Sequence, residues 1–370
     1  MKTLNTKLAA AAIAVATSFT ASAGIAIVDN DRGRFAIGGD VEFDFDYRSQ
    51  KNIDFESGVK ETNYGQGGRI LLDFDGLRTL DNGTFLHMNV ELLAETNGNA
   101  AIDNAFLAFG QNEWKIQAGR YEAYDMFPKG QDVFLETTGN TSDSQYGEYG
   151  YFYQMKEARG RGADAGQLMY AYQAEDLYFE LGSVVGNRED FFSETVRNIA
   201  EFDASNKDAF YLRPVIAYQA GDFRISAAIE HQLISDAFVI GEKDISKRTG
   251  YGLSGNYAVD SLELNANFAY MDAVDEKNQS LGLTALYNGF GLGYFWGETK
   301  FDDNHWLSGS EGKTQIQTGY VSYEIADVMA VEDFFVYLGA YYSRFEDKFE
   351  GSTEPNISDA GARVRLKYYF

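Results

Sequence analysis

The feature that most constrains this chain is an alternation of period two, sustained for about ten residues at a time along most of its length. Period two is the signature of a β-strand whose two faces meet different surroundings. In residues 358–370, Ala360, Ala362, Val364, Leu366, Tyr368 and Phe370 share one face, and Gly361, Arg363, Arg365, Lys367 and Tyr369 the other. Residues 33–48 repeat the pattern with opposite charge. Phe35, Ile37, Val41, Phe43, Phe45 and Tyr47 stand against Asp40, Glu42, Asp44, Asp46 and Arg48. Sixteen such segments can be marked, at 33–48, 66–77, 84–95, 100–110, 113–121, 165–173, 177–186, 209–219, 223–233, 249–259, 262–272, 279–288, 290–299, 313–324, 333–346 and 358–370. Most approach the roughly 9–11 residues that a tilted strand needs to cross a bilayer. Soluble strands average only about 5–6.

The connections separate a barrel from a sandwich. Short turns at Asp81-Asn82-Gly83, Gly110-Gln111-Asn112, Ala174-Glu175-Asp176, Ala220-Gly221-Asp222, Val259-Asp260-Ser261 and Asn288-Gly289 carry the residues that tight hairpins require. They alternate with mostly longer, polar, often acidic connections near 49–65, 122–164, 187–208, 234–248, 300–312 and 347–357. The connection near 326–332 is a longer turn, and those near 96–99 and 273–278 are shorter than their side would suggest. Short turns on one side, long loops on the other and an even strand number describe an up-and-down barrel in an outer membrane. The expected fold is therefore all-β, a closed transmembrane antiparallel barrel of about sixteen strands. Closure pairs the first strand with the last, bringing Asp40 to Asp46 beside Arg363, Arg365 and Lys367. Lipid accepts neither row of charges, so both are expected to face the lumen.

Residues 1–23 read differently. Lys2 and Lys7, an apolar run at 8–19 and the small residues Ala21, Ser22 and Ala23 form the pattern of a cleaved secretory signal peptide. The expected product is one barrel domain, 24–370, in the cell outer membrane. Its removal leaves 29 basic against 56 acidic residues. So acidic a surface argues against a nucleic-acid partner, and the absence of cysteine excludes thiolate metal sites and cysteine nucleophiles. His87, His231 and His305 show no metal-ligand spacing, so no metal or cofactor is expected.

A barrel of this size leaves an aqueous channel, and the longest loop, near 122–164, is the candidate for narrowing it. Its first half carries Tyr124, Met126, Phe127, Val133, Phe134 and Leu135, too apolar for a freely solvated segment. Residues 104–110 (NAFLAFG) and 114–120 (WKIQAGR), with Gly119 and Arg120 before that loop, resemble the fourth and fifth strands of Gram-negative porins. The terminal Phe370, with Tyr368 and Leu366, shares the likeness. Residues 120–132 (RYEAYDMFPKGQD) look most like the sugar-passing, raffinose-type glycoporins, and the usual acidic third-loop motif of general porins is not present.

The resemblance implies a homotrimer in lipid and lipopolysaccharide, with the third loop folded inward as an eyelet. It implies an acidic side, for which this chain offers Asp125, Asp132 and Glu136, facing a basic side. Arg69 and Lys115 have lumenal parity, and Arg120 matches the family position. Sugar chemistry calls for aromatic faces, and Tyr121, Tyr124 and Phe127 lie in the right stretch. Leu366, Tyr368 and Phe370 would serve as the barrel-assembly signal. The expected function is passive diffusion of small hydrophilic solutes, including oligosaccharides, through a cation-preferring pore. A general ion pore without a sugar site is the alternative, as is an adhesive barrel with divalent-binding loops at Asp302, Asp303, Glu346 and Asp347. Enzymatic readings rest on less: His87 beside Asn89 and Glu91 for a hydrolase, or Asp44 with Asp46 for a glycosidase pair. Gly289, Gly291 and Gly293 alternate with Phe290, Leu292 and Tyr294 as a strand does and form no phosphate loop.

Overall fold

The computed structural model describes residues 24–52, 56–128, 166–186, 207–306, 308–349 and 355–370. The signal-peptide segment, Asp132 and Glu136 lie outside the described residues.

Each of the sixteen alternating segments is a strand. They are β2 (Gly33–Lys51), β3 (Lys60–Thr79), β4 (Phe85–Glu95), β5 (Ala100–Gln111), β6 (Trp114–Arg120), β7 (Gly166–Ala174), β8 (Leu177–Gly186), β9 (Ala209–Ala220), β10 (Phe223–Gln232), β13 (Arg248–Val259), β14 (Leu262–Ala273), β15 (Glu276–Tyr287), β16 (Phe290–Phe301), β17 (Gly312–Ile325), β18 (Phe334–Phe349) and β19 (Ile357–Tyr369). Among the described residues three further strands occur: β1 (Ile25–Asn30), and β11 (Val239–Ile240) with β12 (Lys243–Asp244) as a small hairpin in the loop after β10. Every barrel strand pairs antiparallel with its neighbour, and β19 pairs with β2 from Ser358↔Lys51 to Tyr369↔Asp40. The ring is closed, as it must be where no water is present to satisfy an open edge.

The alternation sets the two faces. Leu86, Met88, Val90, Leu253, Leu264, Leu292 and Val321 are exposed on the outer wall, where lipid is their solvent. Asp40, Glu42, Asp44, Asn89, Gln117, Asn265, Asn267 and Thr318 are buried on the lumenal side. Turn chemistry follows the residues. Asn288 and Gly289 have φ of 48° and 80°, the two positive values of the tight turn that matches strand twist.

Several strands run longer than their sequence segments. β3 starts at Lys60 and β2 continues to Lys51, so most of the connection near 49–65 is strand. The short outer connection near 273–278 contracts to two residues between β14 and β15. The N-terminal strand β1 was not expected. It folds back on β2 (Ile25↔Ile37 to Asn30↔Gly33) beyond the position where β19 stops, and two hydrogen bonds of 3.0 Å join Phe370 and Gly39 between them. β6 is the shortest barrel strand, with seven residues, for a local reason. Gly119 has φ of +125°, and a Cβ there would lie 2.2 Å from the Ala105 carbonyl oxygen. Only glycine takes that conformation without strain, and there the chain leaves the wall for the lumen.

Candidate functional site

The lumen is organised by the stem of the third loop and by the wall opposite. Beyond Gly119, residues 121–127 lie against the inner surfaces of the strands that follow. The Tyr121 amide donates to Gln167 Oε1 on β7 (3.2 Å). The Tyr124 amide donates to Glu180 Oε2 on β8 (3.1 Å), and the Tyr124 carbonyl accepts from Arg213 Nη2 on β9 (2.6 Å). Its hydroxyl lies 2.8 Å from Ser226 Oγ on β10, and its ring stacks on Tyr178 at 5.4 Å. Glu180 and Arg213 also bind each other at 3.2 Å, with side chains 0% and 3% exposed. An ion pair that dry is retained only when its hydrogen-bonding capacity is used, and here it grips both backbone atoms of Tyr124.

Past that clasp the loop becomes apolar. Met126 and Phe127 are buried in a cluster with Val215, Met271, Phe295 and Tyr320. Phe127 lies 6.3 Å from Phe295, which stacks on Tyr320 at 5.8 Å. Phe127 also fits into the space left by Gly282, where a Cβ would come 2.6 Å from its ring. The stem therefore reaches from β6 to the lumenal surface of β15 and β16.

On the seam the wall carries a ladder of charge. Arg363 Nε lies 2.6 Å from Asp46, and Arg365 donates two 2.8 Å bonds to Asp44. Lys367 is 3.2 Å from Glu42, and Arg69 is 3.8 Å from Asp40. At the outer end Arg48 is held by Asp359 at 2.5 Å. Five bases thus meet five acids across β19, β2 and β3. β10 is eight strands from β2 in a ring of sixteen, so the ladder faces the wall on which the loop stem is clasped. The charge complementarity expected from the alternation of the first and last strands thus runs along the seam where the barrel closes.

Between the loop stem and the short turns lies a cavity of about 630 Å³, lined by β4–β6 on one side and β10, β13 and β14 on the other. Lys115, Tyr121, Tyr124 and Asp125 all border it. Asp125 Oδ1 accepts the Phe127 amide at 2.7 Å, and Lys115 faces Glu180 beneath the stem. Arg69 sits in the seam ladder. Arg120 Nε donates to the carbonyls of Ile102 (3.1 Å) and Asp103 (2.9 Å) near the start of β5, so the three bases do not converge on one cluster. Tyr121 and Phe127 are 2% and 1% exposed, whereas Tyr124 keeps an accessible edge. Leu366 and Tyr368 face outward on β19, and Tyr368 stacks on Phe370 at 6.4 Å. His87 borders the same cavity, its Nε2 2.5 Å from Asp75 Oδ2.

Glu180 and Arg213 were not singled out by sequence. The signal was present: each is the one charge inside an otherwise uncharged strand, in LYFELGSVVG and AFYLRPVIAYQA. Also unexpected is the loop after β10. It buries Ala237 and turns Phe238 and Ile245 inward against Val184, Ala209 and Tyr211 at the long-loop mouth, with Trp306 alongside. Its apolar run at 237–240 (AFVI) is the trace of that in the sequence.

A closed sixteen-stranded barrel with an apolar outside, a polar inside and a loop stem laid across its lumen is an outer-membrane channel for small solutes. The chain matches the family described as porin-like glycoporin RafY over residues 37–370, and it belongs to that family. No curated protein matches it. Among solved structures it is similar to OmpF of Salmonella typhi in complex with daunomycin, with TM-score 0.62, 13% identity, and 94% of this chain and 100% of that one covered. It is similar also to an anion-selective porin from Comamonas acidovorans (TM-score 0.60, 14% identity, 91% and 100% covered). OmpT of Vibrio cholerae aligns with TM-score 0.54 and 15% identity over 93% of this chain and 100% of its own.

Proposed function

We propose that this porin passes small hydrophilic solutes, oligosaccharides among them, by passive diffusion, and that it prefers cations. The acid excess sets the sign of the ion preference, and one observation keeps the seam from offsetting it: every base of the ladder has an acid on an adjacent strand. A wall so balanced offers anions no uncompensated positive patch, while the chain as a whole carries a formal charge of −25. Asp125, Asp132 and Glu136 are the proposed acids of the narrow side. Arg69 is the proposed base across the lumen, and Lys115 and Arg120 act from beneath and beside the loop stem.

The oligosaccharide reading is supported by the accessible rings of Tyr124 and Phe106 at a polar cavity. Stacking on such rings suits the apolar faces of pyranoses. In a planar bilayer, raffinose should then reduce the KCl current with a saturating concentration dependence. A reduction that only tracks solution viscosity would reject the sugar reading and leave a general pore.

The proposed assembly is a homotrimer in lipid and lipopolysaccharide, exported by a signal peptide at 1–23. Native mass spectrometry from detergent should give three times the chain mass, and a monomeric mass would reject it. We propose no catalytic role for the chain; His87 lies between Asp75, to which it is bonded, and Phe106, which its ring meets edge-on at 5.4 Å.

A further inference from the structure

The cavity on the short-turn side of the loop stem has a composition that ion conduction does not require. Six carboxamides line it: Asn89, Asn104, Gln117, Asn256, Asn265 and Asn267. They come from both sides, on β4, β5 and β6 and on β13 and β14. A carboxamide presents a donor and an acceptor in one plane without charge. That matches the paired hydroxyls of a neutral polyol, each of which both donates and accepts.

Several of the surrounding acids hold these amides in place. Asn89 donates to Asp73 (2.6 Å), Asn104 to Glu91 (2.6 Å), and Asn256 to Asn265 (2.6 Å) and Glu263 (3.3 Å). Asp75 is bonded to His87, and Arg224 donates to Gln219 at 2.8 Å. After these bonds, Asn89 Oδ1, Asn104 Oδ1 and both polar atoms of Asn267 have no protein partner, although all four are buried. Native interiors leave few such atoms, and these four belong to residues that line one cavity. The broad χ2 torsion of asparagine lets each turn toward a bound hydroxyl.

Two aromatic rings complete the lining. Phe106 and Tyr124 both border the cavity and keep accessible surface, with Tyr124 backed by Tyr178. The volume, about 630 Å³, lies within the roughly 300–1,000 Å³ of small-molecule pockets.

We propose that this chamber is a saccharide-binding subsite on the short-turn side of the loop, where one neutral pyranose ring rests against Phe106 or Tyr124. Its hydroxyls are bonded by the carboxamides of β4, β5 and β14. The inference rests on the sugar-passing reading and adds to it a place and a set of residues. It also gives the channel a side: the chamber lies on the short-turn side of the loop stem, so sugar arriving from that side does not pass the stem.

The test is single-channel recording of the intact porin with raffinose added to one side at a time. The readout is the half-blocking concentration relative to the open-channel current of the same channel. Asn267→Ala and Phe106→Leu should each raise that concentration about tenfold, the scale of one lost polar or stacking contact to a bound ligand. Asn89→Ala provides a further variant where one of these does not assemble, and Tyr323→Leu, on the outer wall, should leave the half-blocking concentration within about twofold. Blocking should begin at lower concentration from the short-turn side. A wild-type channel that raffinose blocks saturably, with half-blocking concentrations unchanged in the chamber variants, would overturn the subsite alone. A wild-type channel without saturable block would overturn both the subsite and the sugar reading.

Discussion

Tyr124 is held at its amide, its carbonyl, its hydroxyl and its ring, and three of those contacts come from the Glu180–Arg213 pair and the Tyr178 bonded to it. Removing Arg213 therefore does two things. It leaves the Glu180 carboxylate, wholly inaccessible to solvent, without its bonded counter-charge and with only Lys115 nearby, where breaking a buried pair outright costs about 3–5 kcal/mol. It also frees the stem of the third loop from β9. Arg213→Ala should lower the urea midpoint of the refolded barrel and raise single-channel conductance in KCl, because the stem no longer holds its position in the lumen. Unchanged conductance with lowered stability would show that the apolar anchor at Phe127 suffices. Parity alone placed Arg69 and Lys115 in the lumen, because a strand has only two faces. It did not reveal their partners. Whether Lys115 meets a loop acid or Glu180 depends on the register of β6, β7 and β8, which sequence periodicity does not contain. Arg120 illustrates the limit: Gly119 breaks the alternation one residue before it, so counting faces has no meaning there.

Among the elements, the seam was the most legible part of the molecule and the N-terminal strand the least. The acids of β2 and the bases of β19 alternate with apolar residues in perfect phase, and opposite charge then specifies their register: Asp46↔Arg363, Asp44↔Arg365, Glu42↔Lys367. β1 has six residues, all exposed, so no second face marks it as a strand. The third-loop stem was legible as a segment too apolar for solvent, but its clasp was not, since it is built from three strands distant in sequence. Arg365→Ala and Asp44→Ala break the same rung and should both lower stability, by about 1.5–3 kcal/mol for hydrogen bonds between charged groups. Their effects on ion preference should have opposite signs. Losing Arg365 makes the lumenal wall more negative and raises cation preference, whereas losing Asp44 lowers it. Urea titration in detergent micelles and reversal potentials on the same two variants check both statements. Shifts of the same sign in reversal potential would mean that the ladder does not face the ion path.

At the scale of the whole molecule, sixteen strands close because lipid tolerates no open edge, and a ring that wide carries water through its centre. The acid excess of the chain then acquires a location. Among the described residues it falls on the lumenal side, the loop stem and the connecting loops, while the outer wall is given over to aliphatic and aromatic side chains. Loop charges far from the narrow region are screened beyond about 8–10 Å at physiological salt, so the sign of the selectivity reports the lumen itself. The most direct measurement is the zero-current potential of the reconstituted porin in a planar bilayer between concentrated and dilute KCl. A stable ohmic conductance is expected, with the dilute side becoming positive as potassium crosses faster than chloride. A dilute side that becomes negative, showing chloride preference, would contradict the account, as would a correctly folded barrel that carries no current.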